Sequence, residues 1–242
     1  MAFKQKVYIG KKYKIKYLFE NNSKSKDLII IFTSCIKPGQ KARYNYIRTL
    51  DNFECNKLFI LDDFGFDGRG AYYLGKDNDF DIEKDLESLI NSVITNLNPD
   101  KKIFLGSSKG GYAALYFGIK YNKSIIISGA PQYILGNYLN YPNHRNILKY
   151  IMSDTNLSSI ELLNNLLRNN LEKYNNNDST IYLHYSTNEE TYDSDISVLI
   201  KDMKTFGIQT YYDIHTYNNH SDLTNFFPEF IKSTLKDILS YK

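Results

Sequence analysis

IFLGSSKGGYAAL, residues 103–115, opens on an apolar run of strand character and closes on residues that suit a helix. Between the two lies Gly106-Ser107-Ser108-Lys109-Gly110, a G-x-S-x-G pentapeptide. In a strand–turn–helix context this pattern sets a serine on a sharp, strained turn with its hydroxyl exposed. Small flanking residues then let the neighbouring strands approach. The pentapeptide alone is a weak motif, and its context makes Ser108 the candidate nucleophile. A glycine-rich phosphate loop at a helix N-terminus is the competing reading. However, Lys109 does not complete G-x-x-x-x-G-K-[ST], and no G-x-G-x-x-G is present.

Outward from this stretch, apolar β-rich runs alternate with helical patterns. DLIIIFTS (27–34), KLFILDD (57–63), KIFLG (102–106) and SIIISGA (124–130) suit strands buried on both faces of a parallel sheet. TIYLHYS (180–186) and QTYYDIH (209–215) supply two more, and KVYI and YKIKYLF read as an opening hairpin around Gly10. DIEKDLESLINSVITNL (81–97) carries Ile82, Leu86, Leu89, Ile90 and Val93 on one stripe, with acids in its first turn. SDISVLIKDMKTFG precedes the last strand, and SDLTNFFPEFIKSTLKDILSY closes the chain. The alternation predicts a doubly wound, mostly parallel α/β sheet. Residues 131–178 break the rhythm with two helical patterns and an Asn-rich tail. They read as a helical cap inserted in a single domain spanning 1–242, with two ordinary packing helices as the rival reading.

Composition narrows the function classes. The 242 residues are 42% hydrophobic and 15% aromatic, enough for a sizeable core. A net charge of +3 with interspersed signs excludes a nucleic-acid footprint. KKYKIKY (11–17) alternates like a half-solvated strand. Cys35 and Cys55 form no disulfide framework or metal-ligand spacing, and no HExxH or Asp/His box occurs, so no metal site is expected. MAFKQKVYIG has no apolar leader core, and no run reaches membrane-spanning length. A cytoplasmic protein without a membrane span is therefore expected.

A serine nucleophile needs a base. Of His144, His184, His215 and His220, the second and third lie inside strand runs and read as core or surface histidines, and His144 sits in the cap. His220 follows the last strand by a polar loop. The resulting order Ser…acid…His is that of the α/β-hydrolases. The orienting acid should lie just past TIYLHYS, where Glu189, Glu190 and Asp193 compete. Counting from the strand end favours Glu189, and a strand one residue longer favours Glu190. The oxyanion hole should be built from backbone N–H groups: that of Lys109, and that of Cys35 or its neighbour Ser34.

LGSSKGGYAAL, GRGAYYL (68–74) after LDDFG, ARYNYIRTL (42–50), GAPQY (129–133) and EETY (189–192) together resemble bacterial capsular-polysaccharide O-acetyltransferases of the α/β-hydrolase type. More distantly they resemble the glycan-acetylating subunit of the accessory Sec system. The resemblance implies transfer of an acetyl group from acetyl-CoA to a sugar hydroxyl by a Ser–acid–His triad. Acetyl-CoA is then a co-substrate, and no cofactor is permanently bound. The matching motifs place the nucleophile at Ser108, the base at His220 and the acid at Glu190, the second residue of the acid-acid-Thr-Tyr element. Two positions depart from the pattern: Glu190 stands where Asp is expected, and Asn218-Asn219 stand where small residues are expected. The donor's phosphates would meet Lys109, Lys37, Lys41, Arg43, Arg145 or Lys149, and a glycan would lie against Tyr72, Tyr73, Tyr133 and Asn137. An acetyl esterase with the same triad and a non-catalytic assembly subunit are the alternatives. A homo-oligomer is compatible with either.

Overall fold

The computed structural model describes residues 4–239. Residues 1–3, where MAFKQKVYIG begins, and 240–242, into which the expected closing helix runs, lie outside the described residues. The strands are β1 (Lys6–Ile9), β2 (Lys14–Glu20), β3 (Leu28–Phe32), β4 (Asn56–Leu61), β5 (Lys102–Ser107), β6 (Ser124–Gly129), β7 (Thr180–Ser186) and β8 (Gln209–His215). They form one 8-stranded sheet in the order β1-β2-β4-β3-β5-β6-β7-β8. β2 pairs antiparallel with β1 and β4, and every other pairing is parallel. The doubly wound, mostly parallel sheet expected from the sequence is the one observed.

Buried runs mark the centre and alternation marks the edges. All residues of β3 and β4 are buried, whereas β8 alternates between exposed and half-buried positions. Successive residues of β3 feed opposite layers. Leu28, Ile30 and Phe32 pack with α1 (Asp81–Leu97), α2 (Lys109–Gly118), α5 (Leu157–Lys173) and α6 (Ser197–Thr205). Ile29 and Ile31 pack with Phe227, Ile231 and Leu235 of α7 (Leu223–Leu239), and with Leu50 and Phe53 from a turn-rich stretch between β3 and β4.

The helices of the inserted region all bury residues in the main core. α5 belongs to the sheet-packing layer: Leu163, Leu167 and Leu171 are buried in the main core, and Asn170 donates to the Tyr116 carbonyl of α2 at 3.3 Å. The short α3 (Leu135–Leu139) and α4 (Arg145–Met152) precede it, between β6 and α5.

The chain runs from β3 to β4 on one side and returns to β5 on the other, so the loops after β3 and β5 part. Such a switch point opens a crevice at the carboxyl ends of the strands. Ser34, Cys35 and Ser108 lie there.

Candidate active site

The turn after β5 is built by close packing. A Cβ on Gly106 would stand 2.2 Å from the Gly110 carbonyl oxygen, and one on Gly110 would stand 2.7 Å from the Phe32 carbonyl oxygen. No side chain fits at either position. Ser108 takes φ 52° and ψ −123°, a conformation that costs an L-residue of order 1–3 kcal/mol and that clusters at functional sites. Its N–H donates to the Gly129 carbonyl at 2.8 Å, and α2 starts at the next residue.

The two adjacent serines have different surroundings. The Ser107 hydroxyl is buried and bonded to Ser34 Oγ (2.9 Å) and Tyr46 OH (2.5 Å). Burial pushes the Tyr46 hydroxyl up to about 12, against the lowering effect of its Ser107 and Ser34 bonds. Ser108 is partly exposed, and its Oγ accepts one long bond, 3.3 Å, from Gln132 Nε2. Of the pair, only Ser108 is free to react.

His220 opens a 3₁₀ turn after β8, and its Nδ1–H donates to Glu189 Oε1 at 2.5 Å. The other ring nitrogen, Nε2, is buried with no hydrogen-bond partner among the described residues. Glu189 is 4% exposed and also accepts from Thr191 Oγ1 at 2.7 Å. Tyr217 stands beside this carboxylate; burial, and then the Glu189 charge, hold its hydroxyl protonated.

The contact with His220 expected of Glu190 is made by Glu189 instead. β7 ends at Ser186, whose Oγ accepts from the Asn188 N–H at 3.2 Å, so the chain turns at once and aims Glu189 inward. Glu190 is exposed and lines a cavity instead. The strand-end count named the glutamate that meets His220, and the EETY register named its neighbour.

The amides of Lys109 and Cys35 make no hydrogen bond among the described residues, whereas the Ser34 N–H is committed to Asn45 Oδ1 at 2.9 Å. Of the two positions considered after β3, Cys35 keeps its donor free. Its thiol is pushed up, chiefly by burial, so it is no thiolate.

Lys109 differs from expectation in its side chain. Its ammonium is buried on Asp62 Oδ2 at 2.9 Å and on the carbonyls of Asp62 (3.3 Å) and Arg69 (3.1 Å). The Asp62 carboxylate also accepts from the Ala71 and Tyr73 N–H groups. Lys109 thus ties the 62–73 loop to the elbow and is out of reach of a phosphate. Gly70, at φ 102°, gives the ammonium room: a Cβ there would stand 2.1 Å from Nζ. Tyr72, Tyr73 and Tyr133 are buried at 1%, 0% and 0% exposure and form core rather than a glycan groove. Asn137, Lys37, Lys41, Arg43, Arg145 and Lys149 are exposed.

A cavity of about 650 Å³ lies between the α3–α4 stretch and the acid loop, with Tyr138, Asn143, His144, Glu190 and Asp195 in its wall. His144 stacks on Tyr138 with ring centroids 4.5 Å apart. Burial holds its pKa down, and the charges of Arg69 and His220 act in the same direction. Arg69 is itself buried and donates to the Asn143 carbonyl at 2.8 Å, joining the 62–73 loop to this wall.

Sequence reasoning missed Gln132, Asp195 and the roles of Asn45 and Tyr46. Asp195 accepts from the Tyr133 and Ile134 N–H groups at 2.5 and 2.8 Å, which fastens the start of the insertion to the acid loop. Gln132, Asn45 and Tyr46 lie inside GAPQY and ARYNYIRTL, but these irregular segments have no periodicity from which a role could be read.

Comparison with known proteins agrees with this architecture. A family model described as "Accessory Sec system GspB-transporter" matches residues 24–240. No curated protein matches. Among solved structures, the capsule O-acetyltransferase of Neisseria meningitidis serogroup A is similar at TM-score 0.78 and 22% identity, over 92% of this chain and 91% of that one. A mutant of that enzyme in complex with CoA is similar at TM-score 0.75 and 21% identity, over 91% of each chain. The Glycosylation Associate Protein (Gap123) complex from Streptococcus agalactiae matches at TM-score 0.78 and 20% identity, over 96% of this chain and 46% of that chain. FphF, a fluorophosphonate-binding serine hydrolase of Staphylococcus aureus, matches at TM-score 0.68 and 12% identity, over 97% of each chain. The fold is that of the α/β-hydrolases. Among the described residues, no helix is long and apolar enough to cross a membrane.

Proposed function

The chain belongs to the accessory Sec system GspB-transporter family. We propose that it is an O-acetyltransferase, moving acetyl from acetyl-CoA to a hydroxyl of a bacterial capsular or cell-surface polysaccharide. What supports this reading is a strained, partly exposed Ser108 at the elbow and, on the loop after β8, a His220 bonded to buried Glu189, with a buried Nε2 that has no hydrogen-bond partner among the described residues. The capsule O-acetyltransferase with the same fold, and its mutant's complex with CoA, support the choice of acyl group and donor.

Ser108 Oγ attacks the thioester carbonyl while His220 Nε2 takes its proton. The amides of Cys35 and Lys109 receive the developing oxyanion. His220 returns the proton to the departing CoA sulfur, leaving acetyl-Ser108. It then takes a proton from the acceptor hydroxyl, which attacks the acetyl carbonyl, and returns that proton to Ser108 Oγ as the acyl-enzyme bond breaks. Glu189 accepts from the Nδ1–H throughout, fixing the tautomer and stabilising the imidazolium. Gln132 steadies the Ser108 hydroxyl before attack.

Within 131–178, the α3–α4 stretch serves as the cap and shields the intermediate from water, while α5 is a packing helix. The cavity beneath it takes the acceptor, with Asn137 and Glu190 offering hydrogen bonds to sugar hydroxyls. Lys37, Lys41, Arg43, Arg145 and Lys149 remain for the CoA phosphates. Such exposed contacts are screened beyond about 8–10 Å at physiological ionic strength, so donor affinity falls with salt. Use of acetyl-CoA implies a cytoplasmic reaction.

The test is a short pulse of acetyl-CoA followed by peptide mass spectrometry, then incubation with capsule-type oligosaccharides. One acetyl group on the Ser108 peptide and an acetylated glycan are expected. Rapid hydrolysis of simple acetyl esters, with no labelling from acetyl-CoA and no glycan product, would make the chain an esterase. Neither activity would make it a binding subunit.

A further inference from the structure

β7 and β8 place three ligand-type side chains on one face of the sheet, outside the proposed catalytic site. His184 faces Asp213 directly across the parallel pair, and His215 lies two residues beyond Asp213, so all three project to the same side. His184 Nδ1 is 2.6 Å from Asp213 Oδ2, and His215 Nε2 is 3.3 Å from the same oxygen. One ligand atom from each residue lies within 4.8 Å of the other two. His184 is fully buried, while Asp213 and His215 open into a cavity of about 370 Å³ walled by Phe226, Glu229 and Phe230 of α7.

We propose that His184, Asp213 and His215 form a binding site for one zinc-type divalent transition-metal ion, clamping β7 to β8. The donor set of two imidazoles and one carboxylate is that of three-ligand zinc sites, with the remaining position left for water. Ligands about 2.0–2.1 Å from a tetrahedral zinc stand about 3.3 Å apart, which the His215–Asp213 separation already matches. The His184–Asp213 separation is a hydrogen bond and opens as the metal replaces the proton on Nδ1. That proton moves to Nε2, where the Tyr217 hydroxyl, 3.4 Å away, is the partner that fixes the ring. The α7 side of the face is largely aromatic: His184 packs on Phe227 and Phe230, and His215 on Phe226. Occupancy would stiffen the strand ends from which the Glu189 and His220 loops leave, since the Thr187 N–H bonds the His215 carbonyl at 2.9 Å.

Tag-free protein, stripped with EDTA and freed of chelator, is titrated with cobalt(II), then challenged with zinc(II). Native mass spectrometry counts the bound ions and thermal melts follow stability. One ion per chain is expected, with the visible bands of tetrahedral or five-coordinate cobalt, bleached by an equivalent of zinc, and a raised melting midpoint. His215→Ala and Asp213→Asn, checked for native circular dichroism, should weaken binding by more than about 10-fold and lose the metal-dependent shift. Ser108→Ala should bind as wild type does. No retained ion in wild type, or unchanged stoichiometry and affinity in both folded variants, would overturn the proposal.

Discussion

The elbow after β5 and the pair of loops after β7 and β8 arrive at the same crevice by different routes. At the elbow, steric exclusion and packing leave one choice. Gly106 and Gly110 leave no room for a Cβ, and Ser107 is consumed by Ser34 and Tyr46. Only Ser108 remains partly exposed. In the acid and histidine loops, neighbouring residues of the same type compete, and the choice between Glu189 and Glu190 is made by where β7 stops and how Ser186 turns the chain. A steric constraint specifies one residue, whereas a loop carboxylate is specified by what it meets across 31 residues of sequence at His220.

The largest expected effect breaks the elbow side of this comparison. Ser108→Ala should lower turnover by about 10⁴-fold or more with the fold intact, while Ser107→Ala keeps most activity. Steady-state kinetics on both variants decides it, and a dead Ser107→Ala beside an active Ser108→Ala would place the nucleophile one residue earlier. The loop side is sharpened by Glu189→Gln, expected to reduce kcat by about 10²–10⁴-fold because imidazolium formation loses its support. Glu190→Gln should leave kcat within a small factor and act on acceptor KM. The reverse ranking would restore the register read from EETY.

A third effect separates the two halves of Lys109, its amide and its ammonium. Lys109→Met keeps the amide but leaves Asp62 buried without its charge partner, which should cost about 3–5 kcal/mol in urea unfolding. Lys41→Met on the exposed loop should be neutral. Equal stabilities would mean that Asp62 is satisfied by its backbone donors alone.

The smallest effect concerns pH. Burial holds the His144 pKa below its unfolded value of about 6.5, so the unfolded chain binds the extra proton first. This contribution to stability is complete above pH 6.5 and is lost as pH falls through the lower folded value. His144→Phe, which keeps an aromatic ring on Tyr138, should flatten the acid side of the stability–pH curve. His184 carries a downward shift of the same sign and leaves a residual slope. A curve unchanged by His144→Phe would mean that His144 is solvated.

Some of this was legible in the residues alone. Hydrophobic period and β-branched runs are properties of neighbouring positions, so the strands, α1, the strand–elbow–helix unit and the serine within it could be read from the chain. His220 could be read as well, because a polar loop after a last strand is a local pattern. Tertiary structure decided the matters that depend on distant partners. It turned Glu189 rather than Glu190 toward His220, buried Lys109 on Asp62, withdrew Tyr72, Tyr73 and Tyr133 into the core, and packed α3, α4 and α5 of the insertion into that core. It also set His184 opposite Asp213, because strand register brings residues 29 positions apart into one pair. In each case the energy lies in desolvation and in charge or hydrogen-bond pairing between segments far apart in sequence, which no local pattern encodes.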